Sequence, residues 1–209
     1  MRGHEHAVLY AAAARLLEYP DERWRDGLGL VLAALAEQRG PLPRLLESAA
    51  ARIADDDAEA ARRCYVETFD MSRKHALYLS YWTDGDTRRR GEVLGTFKRR
   101  YRDSGWLVDL DGELPDYLPL VLEFTARADY RSGRALLAEY RASLELLRMA
   151  LADAGSPYAS VLEAVCRSLP GASPTSRAEA MALAGPPREA VGLDPYDPRL
   201  LPMAQEGTL

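Results

Sequence analysis

Several groups of residues carry side chains that could do chemistry. The acidic run Asp55-Asp56-Asp57-Ala58-Glu59 could hold magnesium beside a diphosphate, but that chemistry needs a second acidic motif facing the first and sharing its metal ions. The other acidic cluster, Asp109, Asp111, Glu113 and Asp116, straddles a loop, so the run reads as a solvated helix start, where acids meet the positive helix end. His4 and His6 are two residues apart, which sends them to different sides of a helix, and no third ligand accompanies them. His75 has no neighbouring nucleophile or second base. Gly85-Asp86-Thr87 and Gly91 lack the G-x-x-x-x-G-K-[ST] spacing and a preceding strand, so they do not make a phosphate cradle. Cys64 and Cys166 lie far apart inside helix-like segments and read as buried thiols of a reducing compartment. No catalytic site and no metal or cofactor site can be assembled from these residues.

Two concentrations remain. Arg88, Arg89, Arg90, Lys98, Arg99, Arg100 and Arg102 share one helix, but at about 100° per residue they spread around its axis, while Val93, Leu94, Phe97 and Tyr101 form its apolar face. This reads as a solvated helix with a few specific ion pairs. The second concentration is aromatic: Tyr65, Phe69, Tyr78, Tyr81, Trp82, Tyr101, Trp106, Tyr117 and Phe124, in a chain with eleven Tyr against three Phe. Tyr joins an apolar ring to a polar tip, which suits a groove that grips a peptide and stays wet when empty.

The elements that position these residues are helices. Among 209 residues there are nine Val, one Ile and seven Thr, too few for strands, while Ala and Leu abound. Hydrophobic residues make up 47% and charged residues 28%, as in ordinary globular chains. The expectation is an all-α, single-domain helical bundle of about eight or nine helices over residues 1–169, with a Pro-rich, largely irregular tail over 170–209. Pro20, Gly40, Pro41, Gly105 and Gly155 punctuate the helices. The helix from about Pro115 to Ala128 is apolar on most sides and should be the buried hub. An amphipathic helix at about 132–154 and a last one at about 157–169 follow.

The N-terminal apolar run is interrupted by Arg15 and shows helical spacing, so it reads as a first amphipathic helix and not a cleaved signal. No stretch reaches the roughly 18 uncharged apolar residues of a membrane span, and a cytoplasmic protein is expected. A net charge of −5 argues against a dedicated nucleic-acid binder, because neutralising phosphates takes a surplus of Lys and Arg.

One set of blocks carries a family likeness: Phe69-Asp70-Met71-Ser72-Arg73, Leu77-Tyr78-Leu79-Ser80-Tyr81, Gly85-Asp86-Thr87-Arg88-Arg89-Arg90-Gly91, Phe97-Lys98, Tyr101-Arg102 and Glu113-Leu114-Pro115-Asp116-Tyr117-Leu118-Pro119. In order and spacing they resemble the respiratory nitrate reductase assembly chaperones of the NarJ type, within the helical chaperones that mature molybdenum enzymes. The likeness is strongest through residues 65–127 and extends over roughly 7–169. It implies an all-helical fold and no catalysis of its own. It also implies a partner, the apo catalytic subunit of respiratory nitrate reductase, held through its N-terminal peptide until the molybdenum cofactor is inserted. Proteins of molybdenum cofactor biosynthesis are a further partner class. The chaperone keeps no cofactor as a prosthetic group. The alternatives are a chaperone for a different molybdoenzyme and a helical DNA-binding regulator.

From these residues the expected client groove takes apolar contacts from Leu77, Tyr78, Tyr81, Tyr117, Leu118 and Leu122, and Asp86, Asp116 or Glu123 receives the peptide's positive charge. Arg88 and Arg90 are expected to pair structurally with Asp116 or Glu123, since planar guanidinium groups suit partly buried carboxylates.

Overall fold

Asp21, Asp57, Ser72, Asp129 and Ser176 each accept a hydrogen bond from a backbone N–H two or three residues on, and each of these caps starts a helical element. The computed structural model describes residues 2–54, 57–84 and 88–184. Its α-helices are α1 (Arg2–Leu16), α2 (Glu22–Ala36), α3 (Pro41–Ile53), α4 (Ala58–Tyr65), α5 (Tyr81–Asp84), α6 (Arg88–Asp103), α7 (Leu118–Arg127), α8 (Tyr130–Glu139), α9 (Arg141–Asp153), α10 (Ala159–Ser168) and α11 (Arg177–Ala182). No strand occurs among the described residues, so the all-α expectation holds.

The hub is α7, as its apolar circumference predicts. It packs between α1 and α8 and buries Leu118, Val121, Leu122, Phe124 and Thr125. Each such leucine, fully withdrawn from water, contributes about 1.5–3 kcal/mol. The approach of α8 depends on Gly133, where any Cβ would overlap Thr125. Around this centre α1 brings Leu9, Tyr10 and Leu16 into the core, with Leu17 just after it, and α10 packs on α3 and α9. Trp24 of α2 is buried, and its indole N–H donates to the Arg15 carbonyl at 2.5 Å, tying α2 to α1.

Three features depart from the expected boundaries. The hub helix starts at Leu118 and not at Pro115, because residues 116–118 pair with 77–79: Leu118 N–H donates to Leu77 (2.7 Å) and Leu79 N–H to Asp116 (3.1 Å). The helix expected at 132–154 is two helices. Tyr140, at φ −97° and ψ 25°, breaks it and stacks its ring 5.0 Å from Phe97 of α6.

The third departure lies beyond residue 169. Arg141 donates to the Pro170 carbonyl and to Gly171 (3.1 Å), Arg148 to Pro174 (3.1 Å), and Glu145, wholly buried, orients both arginines. α11 then packs on α9, with Ala180 buried and Arg177 2.8 Å from Asp153. The first part of the Pro-rich segment is therefore docked on the bundle, while 185–209 lie outside the described residues. Cys64 is half-buried and Cys166 buried, both as free thiols. No helix among the described residues is long and apolar enough to cross a membrane.

Candidate binding groove

Between α4 and α5 the chain makes short, irregular turns that carry Phe69 and Tyr78. α4 runs into a single π-helical turn, Val66–Asp70, whose Thr68 carbonyl bonds the His75 ring at 2.8 Å. Such a turn leaves main-chain groups for other partners, and it often marks functional positions. His75 is thereby a structural clasp. Phe69 packs on Tyr65 (4.8 Å between centroids) and Tyr158 (4.7 Å). The pairing of 77–79 with 116–118 brings Tyr78 beside Tyr117, rings 5.6 Å apart.

These elements enclose an open pocket of about 510 Å³, lined on its apolar part by Tyr65, Phe69, Leu77, Tyr78, Tyr81 and Tyr117. Its polar groups carry both signs: Asp70 and Glu113 are acidic, Arg73 and Arg90 basic. The hydroxyls form an ordered set. Tyr65 lies 3.3 Å from both the Leu17 carbonyl and the Tyr117 hydroxyl, and Tyr78 donates to Glu113 at 3.0 Å. Burial pushes the Tyr117 hydroxyl up to about 12. Burial, and after it the Glu113 carboxylate, pushes that of Tyr78 well above the usual phenol range. The rings therefore present neutral O–H groups throughout the ordinary pH range, apolar faces with polar tips.

Of the expected groove residues, the structure brings together Leu77, Tyr78, Tyr81 and Tyr117. Leu118 and Leu122 are elsewhere: both are wholly buried in the core, on the faces of α7 turned to its neighbours. Asp116 is also wholly buried. One carboxylate oxygen accepts from Ser80 N–H (3.0 Å) and Ser80 Oγ (2.6 Å), so its charge anchors the 77–80 turn and faces no open surface. Glu123 pairs along its own helix with Arg127 at 2.6 Å, outside the pocket. Arg90 pairs with neither acid. Its guanidinium lies 5.8 Å over the Tyr78 ring, a cation–π contact with the groove wall. Asp86 and the Arg88 side chain lie outside the described residues.

The pocket also recruits Asp70, Arg73, Glu113 and Leu114, which the expected site omits. They sit inside the blocks quoted for the family likeness, so the motif blocks mark the groove better than the hydrophobic pattern does. Among the described residues, no group of three or more His, Cys, Asp or Glu side chains could hold a metal ion. His6 bonds Tyr130 at 3.2 Å, and Asp57 caps α4, so neither is presented as a ligand.

An all-helical body with an open aromatic groove that carries both charges defines the class at the level of fold, an all-α helical domain. Among solved structures, one described as a "Putative Redox Enzyme Maturation Protein" from Archaeoglobus fulgidus shares this fold, with TM-score 0.56 and 21% identity over 78% of this chain and 91% of that one. The chain belongs to the nitrate reductase delta subunit family, whose sequence model matches residues 22–163.

It is 34% identical over 174 residues to the Bacillus subtilis protein named probable nitrate reductase molybdenum cofactor assembly chaperone NarJ, covering 81% of this chain and 92% of that one. It is 30% identical over 154 residues to the NarJ chaperone of Escherichia coli K12, covering 72% of this chain and 64% of that one. Its identity to the nitrate reductase-like protein NarX of Mycobacterium tuberculosis is 41% over 161 residues, 77% of this chain. The match spans only 24% of NarX, so this chain corresponds to about a quarter of that protein.

Proposed function

We propose that this protein is an assembly chaperone for respiratory nitrate reductase. Its aromatic groove takes the N-terminal peptide of the apo catalytic subunit and holds that subunit, in the cytoplasm, competent for molybdenum cofactor insertion. The groove itself carries the reading: neutral Tyr hydroxyls and apolar ring faces line a cleft that needs a partner with both characters. The names of these two relatives, nitrate reductase molybdenum cofactor assembly chaperones, support it. The protein grips a polypeptide, and the chemistry belongs to the enzyme it serves.

The groove favours an amphipathic peptide whose apolar face settles on Tyr78, Tyr81 and Leu77 while Asp70 and Glu113 meet its positive charge. Rim ion pairs contribute only about 0–1 kcal/mol each, so apolar burial supplies most of the affinity and charge sets orientation and rate. Tyr81→Ala should therefore weaken binding about tenfold, a loss of about 1.4 kcal/mol, and Glu113→Gln or Asp86→Asn less than about fivefold. Calorimetric titration with the N-terminal peptide of the catalytic subunit reads this ranking, and the opposite order refutes the division. Affinity capture from nitrate-respiring cells should recover that subunit. Recovery of another molybdoenzyme's subunit in its place would reassign the client.

A further inference from the structure

The groove holds charges that do not neutralise one another. Elsewhere in the molecule the same residue types pair along or between helices, Arg15 with Glu18 at 2.7 Å, Arg100 with Glu139 at 2.6 Å and Arg167 with Glu163 at 3.0 Å. Asp70, Arg73, Arg90 and Glu113 line one pocket, yet among the described residues they make no ion pair with one another. Tyr78 accounts for part of this separation. Its hydroxyl donates to Glu113 at 3.0 Å, while the Arg90 guanidinium lies over its ring face, 5.8 Å from the centroid. Acid and base thus attach to different parts of one side chain.

Arg90 is the less satisfied of the two. Its Nε is buried without a hydrogen-bond partner, and among the described side chains that line the groove no other atom is in that position. Buried polar atoms nearly always find partners, so an orphan at a binding cleft calls for one from outside. The Tyr78 ring does not fill this need, because an aromatic face answers the charge of a guanidinium and offers no lone pair to its N–H donors.

We propose that Arg90 is a specificity residue of the groove and that its guanidinium receives a side-chain carboxylate, from Asp or Glu, of the bound peptide. The proposal rests on reading the groove as a peptide site, and it narrows the class of peptide to one that carries an acid beside its apolar and basic side chains. Two N–H donors in one plane match the two oxygens of a carboxylate, which a single main-chain carbonyl does not. A carboxylate that bridges Nε and one Nη also gives the buried Nε its acceptor. Arg90 is half-buried and held at a ring, so this pair contributes more than an exposed pair at the rim. The same guanidinium repels a peptide that brings a cation to this position, so the groove rejects as well as selects.

The test uses the full chain and its Arg90→Met variant, which keeps an unbranched apolar stem and removes the donors. Both are titrated by calorimetry with the N-terminal peptide of the catalytic subunit and with versions in which its Asp and Glu residues are changed singly to Asn and Gln. One such change should weaken binding to the unmodified chain about fivefold and alter binding to the variant by less than about 1.5-fold, and the variant should bind the parent peptide about fivefold more weakly. Without peptide the variant's Tm should stay within about 3 °C of the unmodified chain's, because Arg90 has no carboxylate partner inside the fold. A larger fall overturns the proposal and makes Arg90 structural. An equal loss for every peptide also overturns it, since the guanidinium would then meet the main chain. A second probe is independent of the client: 3-phenylpropionate at about 20 mM, compared with sodium chloride of the same ionic strength, should raise the Tm of the unmodified chain by about 1–2 °C and leave the variant unmoved, and 3-phenylpropionamide should shift neither. If the client peptide binds neither protein while 3-phenylpropionate separates them, the carboxylate site stands and the assignment of the client fails. If neither probe separates the two proteins, the proposal is overturned.

Discussion

Asp116 separates a structural role from a recognition role, and its replacement measures which one it has. In Asp116→Ala the backbone N–H and hydroxyl of Ser80 lose their acceptor, at 3.0 and 2.6 Å, in a place where both residues are wholly buried. A buried donor left unsatisfied costs about 1–3 kcal/mol, so the two together cost about 2–6 kcal/mol. For a fold of this size each kcal/mol lowers Tm by about 2–4 °C, giving an expected fall of roughly 4–24 °C by thermal circular dichroism. Client-peptide affinity, measured well below the variant's Tm, should stay within about threefold, because the carboxylate touches the 77–80 turn and not the pocket. Ser80→Ala alone should cost about 1 kcal/mol, and the two changes combined should cost less than their sum, since they remove one shared bond. If Asp116→Ala does not fold, Asp116→Asn keeps an acceptor and gives a smaller shift in the same direction. An unchanged melting curve with abolished binding would refute the reasoning and make Asp116 a client contact.

Gly133→Ala should destabilise by about 1–3 kcal/mol, because the new methyl meets Thr125 on the hub helix; denaturant unfolding reads it, and a neutral effect would show that α7 and α8 can separate freely. Glu145→Ala leaves Arg141 and Arg148 without their buried counter-charge. It should cost about 3–5 kcal/mol and, by hydrogen exchange, loosen residues 171–176 before the rest of the fold. Tyr65, Tyr101, Tyr117 and Tyr158 have hydroxyls raised by burial, Tyr117 to about 12. The unfolded chain ionises these groups from pH 10 while the folded chain keeps them neutral, so their contribution is fully present below pH 10 and is lost as pH climbs through 12. Phenolate absorbance and helix loss should therefore rise together. Ordinary titration near pH 10 with the helices intact would contradict the burial.

What the sequence discloses follows from the range of the interaction involved. Helix type and the hub were legible because periodicity and Ala/Leu content are local: the apolar circumference of residues 118–124 does become the centre of the bundle. The same completeness hid which side of that helix is covered. Leu118 and Leu122 are as apolar as groove residues would be, and only the packing of α1 and α8 decides that they face the core. Asp116 misled for a related reason. In a run of acids and prolines a carboxylate reads as surface, yet the pairing of 116–118 with 77–79 joins segments some forty residues apart and draws it inside. No local pattern encodes that pairing.

The docked segment after residue 169 is a different case, because its signal was local and present. Ser176-Arg177-Ala178-Glu179 is a capping box, and in the fold Ser176 accepts from Glu179 N–H at 3.2 Å while Glu179 accepts from Thr175 at 2.8 Å. The prolines on either side, Pro174 and Pro186, point locally the other way. Read in the other direction, a chain that caps a six-residue helix and spends a buried Glu–Arg cluster on holding three carbonyls fixes where its last segment begins. Main-chain carbonyls are present whatever the side chains, so this anchor tolerates sequence change in the strap but not in Arg141, Glu145 or Arg148. Substitutions in those three should speed hydrogen exchange over residues 170–182, whereas substitutions at Pro170, Gly171 or Pro174 that keep the backbone path should leave it unchanged.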